Sequence, residues 1–227
     1  MNILAFDTST AVGNVAVSVD GEIVELNKTD SKLSHSQTLI PTIQKTLAGA
    51  SLDISKINLV GVSVGPGSFM GVKIGLAAAK AFCLSLSIPL VCFNALELLA
   101  FNQYGTSDKI VPFIYARQGY IYTAIYNTIL EPIVPPKFVA IVDFFGEIEG
   151  EFTLVGEYFT ELEKHLYQKR YKFVKKEQSR LFAVNIIDRI AQNKQKYHFN
   201  PEKISRVVPL YLQVSQAQRQ MENKTGN

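Results

Sequence analysis

The 227-residue sequence has little cysteine, little histidine and almost no excess of charge of one sign. Its two cysteines, Cys83 and Cys92, lie in apolar surroundings, so they predict no disulfide framework and fit a reducing cytosol. A net charge of +3 is too small to indicate nucleic-acid binding by itself. We find no signal peptide pattern and no uninterrupted apolar run of the ~18 residues that a membrane helix needs, so we expect a soluble cytoplasmic protein.

The three histidines, His35, His165 and His198, give no metal-site pattern. No second histidine, cysteine or carboxylate lies at metal-ligand spacing from His35, and its place at a helix start favours a capping or packing role. Lysine and arginine cluster between residues 164 and 176. We expect a solvated helix face or strand edge there, and an RNA-facing patch is the minority alternative.

The most informative stretch runs from Val60 to Leu86. A Val-rich run from Leu59 to Val64 predicts a buried strand, which the triplet Gly65-Pro66-Gly67 ends. Ser68 is a plausible N-cap for a helix that continues to about Leu86. A strand, a glycine-rich turn and a helix start in this order can receive a phosphate or a carboxylate on backbone N–H groups.

The helix of that stretch is apolar around nearly its whole circumference, with Lys73, Lys80 and Ser85 as its polar positions. Gly71, Gly75 and Ala78 form a narrow strip that a second helix can approach closely. Two alternatives remain at this point. Either the helix is buried inside its own domain, or one face packs on a sheet and the other faces a partner chain.

The N-terminal segment predicts three strands. Asn2 to Phe6 forms a short apolar strand that ends in Asp7-Thr8-Ser9-Thr10, and Asp20-Gly21 joins two further strands in a hairpin. Phosphate-binding folds of the actin, sugar-kinase and Hsp70 type begin in this way. The alternative is an ordinary turn, because Asp, Thr and Ser side chains also bond their own backbone.

A helix follows His35, with Leu39, Ile43 and Leu47 on one stripe and Gly49 as its stop. Beyond the central stretch, we predict a strand over Ile88–Phe93 and a helix over Ala95–Phe101. The polar turn at 105–109 is the predicted boundary between an N-terminal lobe, residues 1–105, and a C-terminal lobe, residues 106–227.

The C-terminal lobe should begin with two strands, IVPFIYA and GYIYTAIYN, which flank Arg117-Gln118-Gly119. Pro132, Pro135 and Pro136 indicate a linker. Helices are predicted near residues 142–149, 160–168 and 179–194, with a strand over Phe152–Val155.

Several motifs together resemble the TsaB family, also called YeaZ: ILAFDTST, His35-Ser36, SVGPGSFMGVKIG, ARQGYIYTAIY and VPLYLQ. The resemblance covers nearly the whole chain. It departs from the family pattern where Met70 replaces the usual Thr, Tyr115 an Asp and Gln37 a Glu, and Val72 and Lys73 replace Leu and Arg. The changes at Tyr115 and Gln37 each remove a carboxylate that the family usually has.

The resemblance implies an actin-like, two-lobed α/β fold with mixed sheets flanked by helices. It implies a non-catalytic scaffold that works with a TsaD-type threonylcarbamoyltransferase and a TsaE-type ATPase to form N6-threonylcarbamoyladenosine on tRNAs reading codons that begin with A. The TsaD metal histidines align with Ala95 and Leu99, which cannot bind metal. We expect no cofactor of its own, ATP or ADP only within the complex, tRNA contact at most indirect, no membrane contact and a homodimer when alone.

Two other functions stay open, an ATP-hydrolysing actin-like enzyme and, as the weakest alternative, a peptidase. For nucleotide or phosphate contact the candidates are Asp7, Thr8, Ser9, Gly65 and Gly67. The binding-subunit hypothesis explains the apolar, small-residue helix best, and it predicts a four-helix contact across a pseudo-twofold axis. The predicted interface residues are Leu39, Ile43, Leu47, Gly71, Ile74, Gly75, Ala78 and Phe82.

Overall fold

The computed structural model describes residues 1–29, 33–105, 109–117, 119–156, 162, 164, 166, 170–175, 182–193 and 196–213. Two five-stranded sheets organise these residues. Three clusters of buried apolar side chains hold the sheets and helices together.

The first sheet has the strand order β3-β2-β1-β4-β5. Its strands are β1 (Ile3–Asp7), β2 (Asn14–Val19), β3 (Glu22–Lys28), β4 (Leu59–Ser63) and β5 (Leu90–Phe93). β1 pairs antiparallel with β2 and parallel with β4, so the turn after β1 and the turn after β4 lie at the same edge of the sheet. The predicted hairpin at Asp20-Gly21 is confirmed, with both residues at positive φ.

The second sheet has the order β10-β9-β6-β7-β8. Its strands are β6 (Ile110–Arg117), β7 (Tyr120–Tyr126), β8 (Pro132–Ala140), β9 (Phe152–Gly156) and β10 (Tyr171–Lys175). The predicted linker at Pro132–Pro136 is wrong, because these residues belong to β8. That strand lies at the edge of the sheet, where proline is tolerated because one row of N–H groups needs no partner.

Helices cover the outer faces of both sheets. The helices are α1 (His35–Gly49), α2 (Phe69–Leu86), α3 (Ala95–Phe101), α4 (Ile141–Glu147), α5 (Phe182–Gln192) and α6 (Pro201–Arg206). α1 and α2 pack on the outer face of the first sheet, with α6 beside α2, and α4 packs on the second sheet. α5 packs on the inner face of the first sheet and α3 on the inner face of the second. Since α3 and α5 also contact each other, one core joins the two lobes.

The chain after the predicted boundary does not stay in the second lobe. Strands β6 to β10 form the second sheet, but α5 packs against β1, β2 and β4, and α6 packs against α2. The N-terminus of α5 is tied to the first sheet by Asn14, whose side-chain oxygen accepts the Ala183 N–H at 2.7 Å. The predicted helix at 160–168 falls largely outside the described residues, and α6 and β10 were missed.

Candidate partner-binding surface

The turn before α2 packs against the turn that follows β1. The Ser68 N–H donates to the carbonyl of Ser9 at 2.7 Å, and the Ser68 hydroxyl accepts the Gly71 N–H at 3.2 Å, which confirms Ser68 as the N-cap. A Cβ on Gly67 would lie 2.2 Å from the Ser9 carbonyl oxygen. The glycine at 67 therefore serves a close approach between the two turns at this edge of the sheet.

The Asp-Thr-Ser turn after β1 uses its polar groups internally. The carboxylate of Asp7 accepts the Ser9 N–H at 3.0 Å, the Ser9 hydroxyl at 2.6 Å and the Thr10 hydroxyl at 3.3 Å. Asp7, Thr8 and Ser9 are all buried. These side chains, with Gly65 and Gly67, were the candidate phosphate contacts. None of the three side chains is presented to solvent in this conformation, and a contact of these five residues with a nucleotide or phosphate stays a prediction.

The glycine strip of α2 packs inside its own lobe. A Cβ on Gly71 would lie 2.0 Å from the Thr8 carbonyl oxygen, and one on Gly75 would lie 2.3 Å from Thr8 Oγ1. The Thr8 hydroxyl donates to the Gly71 carbonyl at 2.7 Å. The prediction that Gly71 and Gly75 face a partner is therefore wrong, since Thr8 occupies the space that the missing side chains leave.

The stripe of α1 that was predicted to share the interface is also internal. Leu39, Ile43 and Leu47 are buried in the cluster between α1, α2 and the first sheet, which corrects the second part of that prediction. They face the sheet because apolar residues at this spacing form the core-facing stripe of an amphipathic helix. Ile74, Ala78 and Phe82 are half-buried, and their contact with a partner stays a prediction.

The opposite side of α2 is apolar and exposed. We call the stripe formed by Met70, Ile74, Ala77, Ala81 and Leu84 the outer face of α2. Its residues follow one another at intervals of four, three, four and three, which is the seam spacing of helices that pack side by side. Met70 is 61% exposed and Leu84 is 42% exposed, although both are large apolar side chains.

Exposed apolar residues also flank the outer face. On α1, which packs beside α2, Ile40 is 43% exposed. At the start of α2, the ring of Phe69 lies 5.5 Å from that of Tyr211, and Lys73 Nζ lies 3.8 Å from the Phe69 ring centre. Tyr211 is held there because the neighbouring Leu210 N–H donates to the Val64 carbonyl at 2.8 Å. The surface thus extends from α1 across α2 to the segment after α6.

α2 is long and apolar enough to cross a membrane by length and composition. Its inner face is nevertheless packed on β4 of the same lobe, with Val72, Leu76 and Ala79 buried there. Burial raises the pKa of the Cys83 thiol, on this inner face, to about 12, and the nearby Cys92 contributes to the same shift. The inner face of α2 is therefore part of the buried core of the lobe, whereas the outer face is exposed to solvent.

Two side chains at the start of α1, those of His35 and Gln37, make structural contacts. His35 Nε2 lies 2.8 Å from the Thr10 carbonyl oxygen, so this histidine links α1 to the turn after β1. Gln37, in place of the usual Glu, still accepts the Ser34 N–H through its side-chain oxygen at 3.3 Å. This capping box needs an oxygen acceptor and not a charge, so the lost carboxylate leaves the cap intact.

The two positions that align with the metal-binding histidines of TsaD lie in the core between the lobes. Ala95 and Leu99 are completely buried on α3. Within the described ranges, no group of three or more His, Cys, Asp or Glu side chains is placed to hold a metal ion.

Sequence reasoning missed the exposed members of the surface, Met70, Ala77, Ala81, Leu84 and Ile40. The 4-3-4-3 spacing on α2 was readable in the sequence. The interface was predicted on the glycine face instead. Residue spacing shows which residues share a face of a helix, but it does not show which face packs against the rest of the chain.

Comparison with known proteins agrees with this fold. The family model described as "TsaD: tRNA N6-adenosine threonylcarbamoyltransferase" matches residues 29–210. The tRNA threonylcarbamoyladenosine biosynthesis protein TsaB of Bacillus subtilis is 33% identical over 147 residues, which cover 63% of this chain and 64% of that protein. The TsaB of Buchnera aphidicola subsp. Schizaphis graminum is 30% identical over 197 residues, 82% of this chain and 90% of that protein.

A solved structure shows the same architecture. YeaZ from Pseudomonas aeruginosa matches with a TM-score of 0.74 at 18% identity, over 93% of this chain and 99% of that chain. The match confirms the predicted fold class, an actin-like α/β fold of two lobes with mixed sheets flanked by helices. With the family model and the Buchnera relative, it shows that this chain belongs to the TsaB family, also called YeaZ.

Proposed function

We propose that this chain is a non-catalytic, cytoplasmic scaffold subunit in the biosynthesis of threonylcarbamoyladenosine on tRNA. It binds a TsaD-type threonylcarbamoyltransferase through the outer face of α2 and the exposed side of α1, and it acts with a TsaE-type ATPase. The observation that carries the proposal is the outer face itself, an exposed apolar seam on a helix whose other side is fully packed.

The shape of the outer face suits a second helix. Ala77 and Ala81 lie in the middle of the seam and are exposed, so a facing helix can approach closely there. Met70 and Leu84 lie at its two ends and can fill the space beside such a helix. Contiguous exposed apolar surface on a soluble domain marks an interaction site, because leaving it in water is unfavourable.

Two observations support a non-catalytic role. The carboxylate of Asp7, the candidate for magnesium or nucleophile positioning, accepts three hydrogen bonds within its own turn and is buried. The positions that match the TsaD metal histidines hold Ala95 and Leu99. Neither side chain can ligate a metal or carry a proton.

The same surface accounts for self-association of the isolated chain. An apolar seam that is complementary to a related helix pair is also complementary to a second copy of itself across a twofold axis. We therefore expect a homodimer that a TsaD-type subunit dissociates when it binds.

Reconstitution tests the proposal. The purified chain with tRNA, ATP and a threonylcarbamoyl donor should yield no modified tRNA, and product should appear when TsaD-type and TsaE-type subunits are added. The reaction with those two subunits but without this chain is the matched control, and it should be much slower. Product formation by this chain alone, or a full rate without it, contradicts the scaffold role.

A further inference from the structure

The hairpin between β6 and β7 carries an arginine with an unusual environment. Tyr115 pairs with Ile121, but the next pair joins Arg117 with Tyr120, so the register shifts by one residue at Ala116. A bulge of this kind turns the following side chain to the other face of the sheet. Arg117 therefore projects on the face of Tyr120, in the neighbourhood of Phe138 on β8.

These side chains form a compact stack, which we call the Arg117 platform: Arg117, Tyr120, Tyr122 and Phe138. The Arg117 guanidinium carbon lies 4.7 Å from the Tyr120 ring centre and 5.4 Å from that of Phe138. The Tyr120 and Phe138 rings are nearly parallel, at 9° and 4.9 Å. Tyr122 lies 5.6 Å from Phe138.

The platform is fixed by the backbone around it. Tyr122 is directly opposite Phe138 in the β7–β8 ladder. The carbonyl of Gly119, at the tip of the hairpin, accepts the Ile141 N–H from the start of α4 at 2.9 Å. The aromatic rings are half-buried and Arg117 is exposed, so the guanidinium is the part presented to solvent.

Arg117 differs from the other arginines that the structure describes. Arg189 pairs with Glu97 at 2.7 Å, Arg170 with Glu151 at 3.4 Å and Arg206 with Glu202 at 3.9 Å. Arg117 makes no such ion pair within the described residues and lies on aromatic rings instead. Its charge is therefore available to an external anion.

We propose that the Arg117 platform binds an unpaired nucleotide of RNA. A guanidinium that rests on aromatic rings keeps one planar face for stacking on a base and its edge for donating to a phosphate. Unstacked bases in single-stranded loops are recognised in this way, by aromatic rings and arginine planes. An acidic partner protein would need only the charge, whereas a guanidinium held on aromatic rings also offers the planar face on which a nucleobase stacks.

The inference rests on the proposed function in one respect, namely that the RNA in the cell is a tRNA. It replaces the expectation that tRNA contact is at most indirect. The part of the basic run that lies on β10, residues 171–175, is a separate surface, because β10 and β8 lie at opposite edges of the second sheet.

Fluorescence anisotropy tests the platform. The probes are a fluorescein-labelled RNA stem-loop and a fully paired RNA duplex of equal length, titrated with the full chain alone and with its TsaD-type complex. We expect tighter binding to the stem-loop. Arg117→Ala should weaken stem-loop binding by about tenfold or more, in line with the loss of one stacked base.

Two further variants separate stacking from charge. Arg117→Lys keeps the charge but not the plane, and it should weaken stem-loop binding by more than Arg170→Ala, which removes an exposed arginine just before β10. Circular dichroism checks that each variant is folded.

Each of the following results overturns the proposal: no binding of the stem-loop by either preparation, equal binding of the duplex, an Arg117→Lys variant that matches wild type, or an Arg117→Ala variant that matches Arg170→Ala. If Arg117→Ala weakens binding of the TsaD-type subunit without RNA, the platform is a protein contact, and the RNA assignment is wrong. If the TsaD-type subunit does not bind the wild-type chain at all, the proposed function fails, and titration of the isolated chain still decides the RNA question.

Discussion

The two faces of α2 have similar composition and opposite surroundings. The inner face packs Gly71, Gly75 and Ala79 on Thr8 and on β4. The outer face presents Met70 and Leu84 to solvent. The difference shows that apolar character alone does not tell which side of a helix is an interface. A face of the helix is available to a partner when no other part of the same chain packs against it. Here Thr8 packs against the inner face only.

The largest expected effect is on the outer face. Ala77→Glu should leave the isolated domain folded, because Ala77 is exposed. It should weaken binding of a TsaD-type subunit by roughly a hundredfold or more, since an unpaired charge buried in an interface costs on the order of 3–5 kcal/mol. Titration calorimetry measures the change, and light scattering should show that the homodimer is lost as well.

Ala191→Glu is the matched control for that substitution. Ala191 is exposed on α5, on the other side of the first sheet, so the same change of side chain should leave partner affinity unaltered. Equal affinities of the two variants would place the interface somewhere other than α2.

On the inner face the expected effect is on folding stability. Gly71→Ala places a Cβ against the backbone oxygen of Thr8, which cannot rotate away, so we expect a loss of about 1–3 kcal/mol in the free energy of unfolding. Gly146→Ala, on α4, meets no atom within 4 Å and should stabilise by up to about 1 kcal/mol through helix propensity. Urea unfolding of both variants gives the comparison, and a stabilised Gly71→Ala variant would disprove the close packing.

The contact between Gly75 and Thr8 should give a smaller effect on the free energy of unfolding. The sign of this effect should depend on which residue occupies position 8. Gly75→Ala brings a Cβ against Thr8 Oγ1, which can rotate only by losing its hydrogen bond to Gly71, so we expect a loss of about 1 kcal/mol. In a Thr8→Ala background the obstacle is gone, and the same substitution should stabilise. A double-mutant cycle by urea unfolding measures this coupling, and additive effects would contradict it.

The smallest effect concerns the inner-face thiol. Because burial raises the pKa of Cys83 from 9.0 to about 12, little thiolate forms at about pH 8, and iodoacetamide should label the native protein far more slowly than the unfolded chain. Ala77→Glu should not change the rate, whereas Gly71→Ala should raise it by loosening the inner face. Peptide mass spectrometry of timed samples gives both rates, and fast labelling of native wild type would show that this face is open.

Local signals predicted the elements around α2 well. Ser68 was recognised as its N-cap and Leu86 as its end, since capping and periodicity are properties of neighbouring residues. The role of Gly71 was not predicted, because its contact, Thr8, lies 63 residues earlier in the chain. Pro132 was misread for the same kind of reason, since the edge position of β8 depends on the order of strands in the sheet.

The central claim is that the outer face of α2 is covered by a TsaD-type partner, and Met70 is a natural reporter of it. Hydroxyl-radical footprinting of the dilute, monomeric chain, with and without a saturating TsaD-type subunit, measures the oxidation of Met70 against that of Met1. Both side chains are exposed in the isolated chain. We expect oxidation of Met70 to fall several-fold in the complex while that of Met1 stays the same. A Met70 that is oxidised equally fast in the saturated complex would contradict the account.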